Sequence, residues 1–275
     1  MVMSEIPLGK QIEYPEHYDP GLLFPVSRSV NRIKIGISDE LPFGGFDHWR
    51  AYELSWLTLS GTPVVAVADI LVPCDSPFLI ESKSMKLYFN SLNQHRFESE
   101  ADALACITRD LSVSAGTAIH VELHTLGRAV SMHTADTVAA ELLDTIVITD
   151  PVFIPDASLL KCSNSAIVRK TLVSHLFRSN CPITAQPDWG SIVVSYEGPE
   201  IDRESLLRYI ISFRQHEGFH EHCVEQIFQD LISQCAPERL TVSINFLRRG
   251  GLEINPLRSL DRTVPMTVLP RLLRQ

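Results

Sequence analysis

No run of apolar residues in this chain is long enough to cross a bilayer. The most apolar stretch, "TPVVAVADILVP" at 62–73, is short and interrupted by Asp69, whereas a spanning helix needs about 20 such residues. The opening "MVMSEIPLGK" has no basic flank leading into an apolar core. Neither secretion nor membrane insertion is therefore indicated, and a cytoplasmic location is expected. Cysteine is sparse: the six residues at 74, 106, 162, 181, 223 and 235 include no C-x-x-C pair, which suits reduced thiols better than a disulfide framework. Positive charge is in deficit. A net charge of -9 argues against direct nucleic-acid binding, which needs a basic face to neutralise phosphates. Also missing are G-x-G-x-x-G and G-x-x-x-x-G-K-[ST] after any strand pattern, so a Rossmann or P-loop nucleotide site is not expected and a cofactor must be held in another way.

What is present suffices for folding. With 275 residues, 45% hydrophobic and 21% charged, the chain can bury one large core or two of ordinary size. Charge is unevenly spread: from residue 238 onward seven arginines face three acids, so the C-terminal segment suits either a solvated face or a phosphorylated small molecule. "YFNSLNQH" at 88–95 returns as "YIISFRQH" at 209–216, the same Y-x-x-S-x-x-Q-H at an offset of 121. Downstream, Phe97 echoes Phe219 and Asp110-Leu111 echoes Asp230-Leu231. The chain reads as a duplication.

Around each copy the periodicity repeats as well. Alternating, β-branched segments precede each apolar-periodic helical pair, "AYELSWLTL" and "VVAVADILV" in the first half, "TLVSHLF" and "SIVVSYEG" in the second. Strand patterns follow each pair: "AIHVELHTL", then "RLTVSINFL" and "LEINPL" joined by a Gly250-Gly251 turn. Each half is thus predicted to be an antiparallel sheet with two helices on one face, an α+β unit. The Pro-containing stretch 149–161 is the expected connector, and residues 1–45 are expected to wrap the first unit without a core of their own.

Four short stretches carry candidate chemistry. "HEGFH" at 216–220 matches H-E-x-x-H, but the repeat ends one helix at Gln215-His216 and starts the next at Phe219. The single helical face that zinc needs is missing, Gly218 is expected as a C-cap between the helices, and no metal is expected. His220 and Glu221 then open a helix, where they are capping residues or ligand contacts. "ESKSMKLY" at 81–88 sets Lys83 and Lys86 beside Glu81 at a helix start, and "RRGGLEINP" at 248–256 sets two arginines against a tight turn. In "SNCPITAQPDWG" at 179–190, Cys181 is a small buried residue or a nucleophile, and Asp188 is a turn former or an acid.

In chain order, "ESKSMKLY", "SNCPITAQPDWG", "FHE" at 219–221 and "RRGGLEINP" resemble the 7-cyano-7-deazaguanine reductases, NADPH-dependent nitrile reductases of queuosine biosynthesis in the tunnelling-fold superfamily. "ESKSMKLY" matches that family's hallmark at every position, and its place in the first half with the cysteine in the second resembles the long form of two tandem tunnelling-fold modules. In "RRGGLEINP" Glu253 stands where the family has aspartate. The resemblance implies modules at 1–148 and 169–275, a linker at 149–168, and a homodimer. It implies Cys181 as the nucleophile that adds to the nitrile and forms a thioimide, and Asp188 as the proton donor. Ile80, Glu81, Ser82, Phe219, His220 and Glu221 are implied to bind the deazapurine substrate, Glu221 by pairing with the base. Ser82, Lys83, Arg249 and Gly250 are implied to bind NADPH, two molecules of which are consumed per turnover. Two other classes share parts of this pattern. A cysteine-dependent hydrolase pairs its thiol with a histidine base and needs no reductant, and a non-catalytic purine- or pterin-binding tunnelling-fold protein uses only the carboxylates.

Overall fold

The structure, a computed structural model, describes residues 15, 17–38, 40–125, 140–272 and 275. The chain is mixed α+β and divides into two compact units. The first takes Met1–Val30, His48–Met132 and Arg248–Ile254, and the second Asn31–Asp47, His133–Leu247 and Asn255–Gln275. Residues 248–254, read from sequence with the second half, therefore group with the first unit, and residues 31–47 group with the second. Residues 1–14 of the expected wrapping segment, and Leu126 at the end of the expected strand 118–126, lie outside the described residues.

In the first unit, β1 (Pro25–Ser27) pairs with β4 (Phe78–Ile80), antiparallel. The main strands are β2 (Gly44–Thr58), in this unit from His48 on, β3 (Pro63–Pro73) and β6 (His120–Thr125), in the order β6-β3-β2, with β5 (Arg96–Phe97) parallel to the end of β2. Two helices follow from local signals. In α2 (Ser82–Ser91) the N-cap is Glu81, whose carboxylate accepts from the Lys83 and Ser84 N–H groups. In α3 (Glu100–Ala115) Ser99 caps the Asp102 N–H, and Gly116 closes the helix in the left-handed conformation at φ 72. Buried positions Ala103, Ile107, Leu111 and Ala115 recur at helical spacing along α3 and join Trp49, Trp56, Met85 and Tyr88 in one core.

In the second unit, the path runs β12 (Leu252–Ser259), in this unit from Asn255 on, β11 (Arg239–Phe246), β10 (Pro187–Ile201), β8 (Cys162–Ser174) and β7 (Glu141–Leu142), with the short β9 (Arg178–Asn180) also on β10. The helices are α1 (Ser29–Lys34), α4 (Arg203–Ser212) and α5 (His220–Cys235). Alternation along β11 buries Leu240, Val242, Ile244 and Phe246, and α5 packs on that strand. Strand β8 begins at Cys162, inside the stretch expected to be linker. Its first residues are polar and exposed, so they show no apolar alternation, and pairing with β10 is what extends them.

The sequence repeat has a physical cause in both units. Tyr88 donates to Asp110 Oδ2 at 2.8 Å, and Tyr209 donates to Asp230 Oδ2 at 2.5 Å, so each tyrosine ties the first helix of its pair to the second. The serine three residues on donates back to the tyrosine carbonyl at 2.6 Å in each copy. Burial pushes the Tyr209 hydroxyl well above its ordinary range and keeps it a donor. The junction before α5 departs from expectation in one detail. Gly218 is not a left-handed cap, because Phe213–Gln215 continue past α4 as a tight 3-10 turn and His216 leaves it in extended backbone. Glycine is needed there for space: a Cβ would lie 2.9 Å from His216 Nε2 and 3.3 Å from Cys223 Sγ.

Candidate active site

The strand pair β9–β10 decides where the two residues of "SNCPITAQPDWG" meet. Pro187, Asp188 and Trp189 pair with Asn180, Ser179 and Arg178, and the loop between closes through Cys181 N–H to Gln186 O and Ala185 N–H to Cys181 O, both 2.9 Å. Seven residues of sequence are thereby folded back, and Cys181 and Asp188 are both buried, at 6% and 5% exposure. The segment before α5 is then tied to the same loop. Asn180 N–H donates to His216 O at 2.8 Å, and Gly218 N–H donates to Asn180 O at 3.1 Å. Helix α5 therefore starts beside the hairpin, with no side chain capping its first turn.

Three of the expected substrate residues open that helix. Phe219 occupies the N-cap, its ring edge-on to His222 at 5.5 Å. His220 Nε2 lies 3.4 Å from Asp188 Oδ2, its ring stacks on Phe246, and its buried Nδ1 has no hydrogen-bond partner. Glu221 is buried at 2% exposure. Behind them lies Cys223, whose thiol burial pushes up to about 12, with the Asp188 and Glu221 charges adding to the rise. It stays protonated and inert at neutral pH. The next turn of α5 is anchored by Glu225, which accepts from Arg32 at 2.7 Å and from Arg258 at 2.8 Å. Arg258 also reaches Asp47 at 2.9 Å, and all four side chains are buried. Such a cluster holds its elements in one geometry, and removing one member strands the others.

The remaining expected residues lie in the first unit. Ile80 ends β4 and is buried, Glu81 is fully buried, and Ser82 and Lys83 start α2 half-buried. Glu81 Oε1 and Oε2 each accept one backbone N–H at 2.8 Å, so a ligand bond to Glu81 would use its remaining lone pairs. Arg249 and Leu252 close a two-residue turn through Gly250 and Gly251 at φ 54 and 73, the type I′ geometry the Gly-Gly pair predicts. A Cβ on Gly250 would lie 3.2 Å from Lys86 Cε, and one on Gly251 would lie 2.5 Å from Glu53 Cδ. Two lysines of "ESKSMKLY" and two arginines of "RRGGLEINP" thus belong to one unit, where a glycine backbone leaves room beside a cation. Cations around a bare backbone turn suit a cofactor that carries phosphates.

Tyr52 and Arg50 hold this turn, and sequence reading missed both. Tyr52 N–H donates to Gly251 O at 2.9 Å, its hydroxyl donates to Glu253 Oε2 at 2.7 Å, and the Arg248 guanidinium lies over its ring at 5.1 Å. Arg50 reaches Glu253 at 3.1 Å and Asp69 at 2.7 Å, and His48 and His124 also bond Asp69, at 2.7 and 2.9 Å. Glu253, in place of the family's aspartate, is therefore a buried acceptor beneath the turn. Burial acts to raise Asp69, but the His48 hydrogen bond and the Arg50 charge outweigh it and hold the carboxyl down at about 2, against an ordinary 3.8.

A folded-state value below the unfolded one means stability is present above the unfolded value and lost as pH falls through the folded one. Asp69 should contribute about 2 kcal/mol at neutral pH, lost between about pH 4 and pH 2. Urea midpoints at pH 7 and pH 3 are expected to differ less in Asp69→Asn than in the wild type. Equal differences would mean that this cluster contributes no acid dependence.

Two stretches of the chain match known families, and they hold the expected site residues other than Cys181. Residues 14–123 match the family model described as nitrile reductase, 7-cyano-7-deazaguanine-reductase N-term, and residues 187–264 match the model described as QueF-like protein. By these family matches the chain is of the nitrile reductase class. Curated relatives named NADPH-dependent 7-cyano-7-deazaguanine reductase cover nearly all of it. The protein from Chromohalobacter salexigens is 48% identical over 99% of this chain and 98% of its own. That from Azoarcus sp. is 49% identical over 93% and 91%, and that from Xanthomonas campestris pv. campestris is 48% identical over 98% and 97%. This chain belongs to the NADPH-dependent 7-cyano-7-deazaguanine reductase family. Among solved structures, the archaeosine synthase QueF-Like in the apo form aligns at TM-score 0.31 and 22% identity, over 36% of this chain and 96% of that one.

Proposed function

We propose that this chain catalyses the NADPH-dependent four-electron reduction of the nitrile of 7-cyano-7-deazaguanine to the primary amine, 7-aminomethyl-7-deazaguanine, in tRNA queuosine biosynthesis, through a covalent thioimide on Cys181. The observation that carries this reading is the β9–β10 hairpin, which buries a thiol and a carboxylate together beside the start of α5. A nitrile carbon is an electrophile, and a thiolate is the side chain best suited to attack it. The Cys181 sulfur adds to that carbon, one C≡N electron pair moves to nitrogen, and Asp188 supplies the proton that nitrogen takes up. When bound, NADPH supplies hydride, one per molecule. After reduction at carbon, the C–S bond breaks, Cys181 leaves as thiolate, and an imine remains for the second reduction and protonation. Burial of Cys181 at 6% exposure limits the water that would hydrolyse that imine.

Recognition follows from donor and acceptor complementarity. A guanine-like base shows adjacent ring and exocyclic N–H donors, and the buried Glu221 carboxylate offers two acceptors to them. His220, Phe219, Ile80, Glu81 and Ser82 complete the substrate contacts in this reading. Ser82, Lys83, Arg249 and Gly250 bind NADPH, with the glycine turn against Lys86 as support. Glu221→Gln turns one acceptor into a donor facing a donor and is expected to weaken base binding by about 1–3 kcal/mol. Calorimetry that returned wild-type affinity would reject this role for Glu221.

The finer architecture belongs to the same proposal: two tandem tunnelling-fold modules, a homodimer and a cytoplasmic location. The Tyr–Asp and Ser back-bonds repeated in the two units support the tandem modules. The test of the function is to incubate the protein with the cyano-deazaguanine and NADPH and follow nicotinamide absorbance at fixed pH. Two NADPH consumed per amine formed is the expected result. A hydrolase would act without reductant, and a binding module would take up the base and consume nothing.

A further inference from the structure

We infer that Phe246 is a positioning residue for this reaction: its ring fixes the plane of the His220 imidazole and so the direction in which that imidazole meets Asp188. The inference rests on the roles of Cys181, Asp188 and His220 proposed above. The two rings are 3.7 Å apart between centroids, with planes 3° from parallel. A face-to-face pair of this kind is not the arrangement aromatic rings adopt by preference, which is offset or edge-on. Packing for its own sake therefore does not account for it. Other constraints impose it, and they converge on Phe246.

Phe246 is the last residue of β11, fully buried, and pairs across to Gly190 of β10, two residues from Asp188 along the same strand and hence on the same face. Its N–H donates to the side chain of Asn255 at 2.9 Å, and its ring meets Phe177 edge-on at 5.7 Å and 89°. The phenyl plane is thus held from strand, side chain and ring. His220, by contrast, opens a helix with no side-chain cap, and the second torsion of a histidine is broad. Against a flat, fixed phenyl face the imidazole keeps only orientations within one plane. In that plane Nε2 faces Asp188 at 3.4 Å, while Nδ1 is left buried without a partner. A leucine at 246 would fill similar space and remove the plane.

The test compares the full-length wild type with Phe246→Leu, Phe246→Tyr, His220→Ala and the Phe246→Leu/His220→Ala double variant. Adduct formation on Cys181 without NADPH is timed by intact mass, base affinity is measured by calorimetry, and folding is checked by thermal melting. Phe246→Leu is expected to slow adduct formation about 10- to 100-fold, the scale of a small misplacement of a reacting group. Base affinity should change far less, and Phe246→Tyr should restore most of the rate. In the His220→Ala background, Phe246→Leu should add no more than about a twofold loss, because residues acting through one group are not additive. In histidine-labelled protein, the His220 ring signals should be shifted upfield by the phenyl face, lose that shift in Phe246→Leu and keep it in Phe246→Tyr. If Phe246→Leu does not fold, Phe246→Met takes its place.

Wild-type adduct rates in the leucine or methionine variant would overturn the inference and leave the functional reading intact. So would an equal loss with and without His220. A wild-type chain that forms no adduct would sink the functional reading and this inference with it.

Discussion

Cys181→Ala is expected to gain no substrate-sized mass when incubated with 7-cyano-7-deazaguanine in the absence of NADPH, whereas the wild type gains one such increment per chain. Of the six cysteines, Cys181 is the one in the loop that Asp188 closes, between β9 and β10. Cys223 lies close by, but burial pushes its thiol to about 12 and keeps it neutral. The remaining four lie at positions 74, 106, 162 and 235, away from this loop in sequence. Without the nucleophile no covalent intermediate forms, and NADPH oxidation with the nitrile should fall by about 10⁴-fold or more. Alanine is smaller than cysteine and the site lies at a loop, so base binding and melting temperature should change little. A Cys181→Ala protein that still took up the substrate mass would move the nucleophile elsewhere.

Asp188→Asn should separate binding from chemistry. Asparagine keeps the shape of the aspartate, its place in the β9–β10 pairing and an acceptor for His220 Nε2, but cannot donate an acidic proton. Adduct formation requires that the nitrogen be protonated as the C–S bond forms. Its rate is therefore expected to fall by about 10²- to 10⁴-fold, the usual worth of a positioned acid. Affinity for the deazapurine, measured by calorimetry, should stay within a few-fold, since the base is held through Glu221. Loss confined to the adduct rate assigns the proton to Asp188. An unchanged rate would remove Asp188 from the mechanism, and an equal loss of rate and affinity would make it a binding residue.

Local chemistry determined a good deal of this protein without reference to its fold. Period and alternation place α2–α5, β10 and β11, because a helix or strand with one buried face writes that face into the chain at fixed spacing. The Gly250-Gly251 turn is legible because only glycine takes two successive positive φ angles without cost. Y-x-x-S marks a duplicated helix pair because the serine bonds its own helix and the tyrosine reaches the next one. The motif stretches were legible as candidates for the same reason: Cys181 and Asp188 are seven residues apart, and a tight hairpin is the short way to join them.

Contacts between distant residues were decided only when the chain folded. The polar start of β8 carries no alternation, and pairing with β10 alone makes it a strand. Gly218 reads as a helix cap, yet it is glycine because His216 and Cys223 crowd it. Nothing near "RRGGLEINP" announces Lys86 or Tyr52, roughly 160 and 200 residues earlier, as neighbours of its turn. Phe246 shows the division most plainly. Alternation along "RLTVSINFL" puts it on the buried face of its strand, but that its ring would lie flat under His220 depends on β11, β10 and α5 arriving at one place. Spacing records which way a side chain points; what it meets there is set by packing across the whole unit, which no single stretch of sequence encodes.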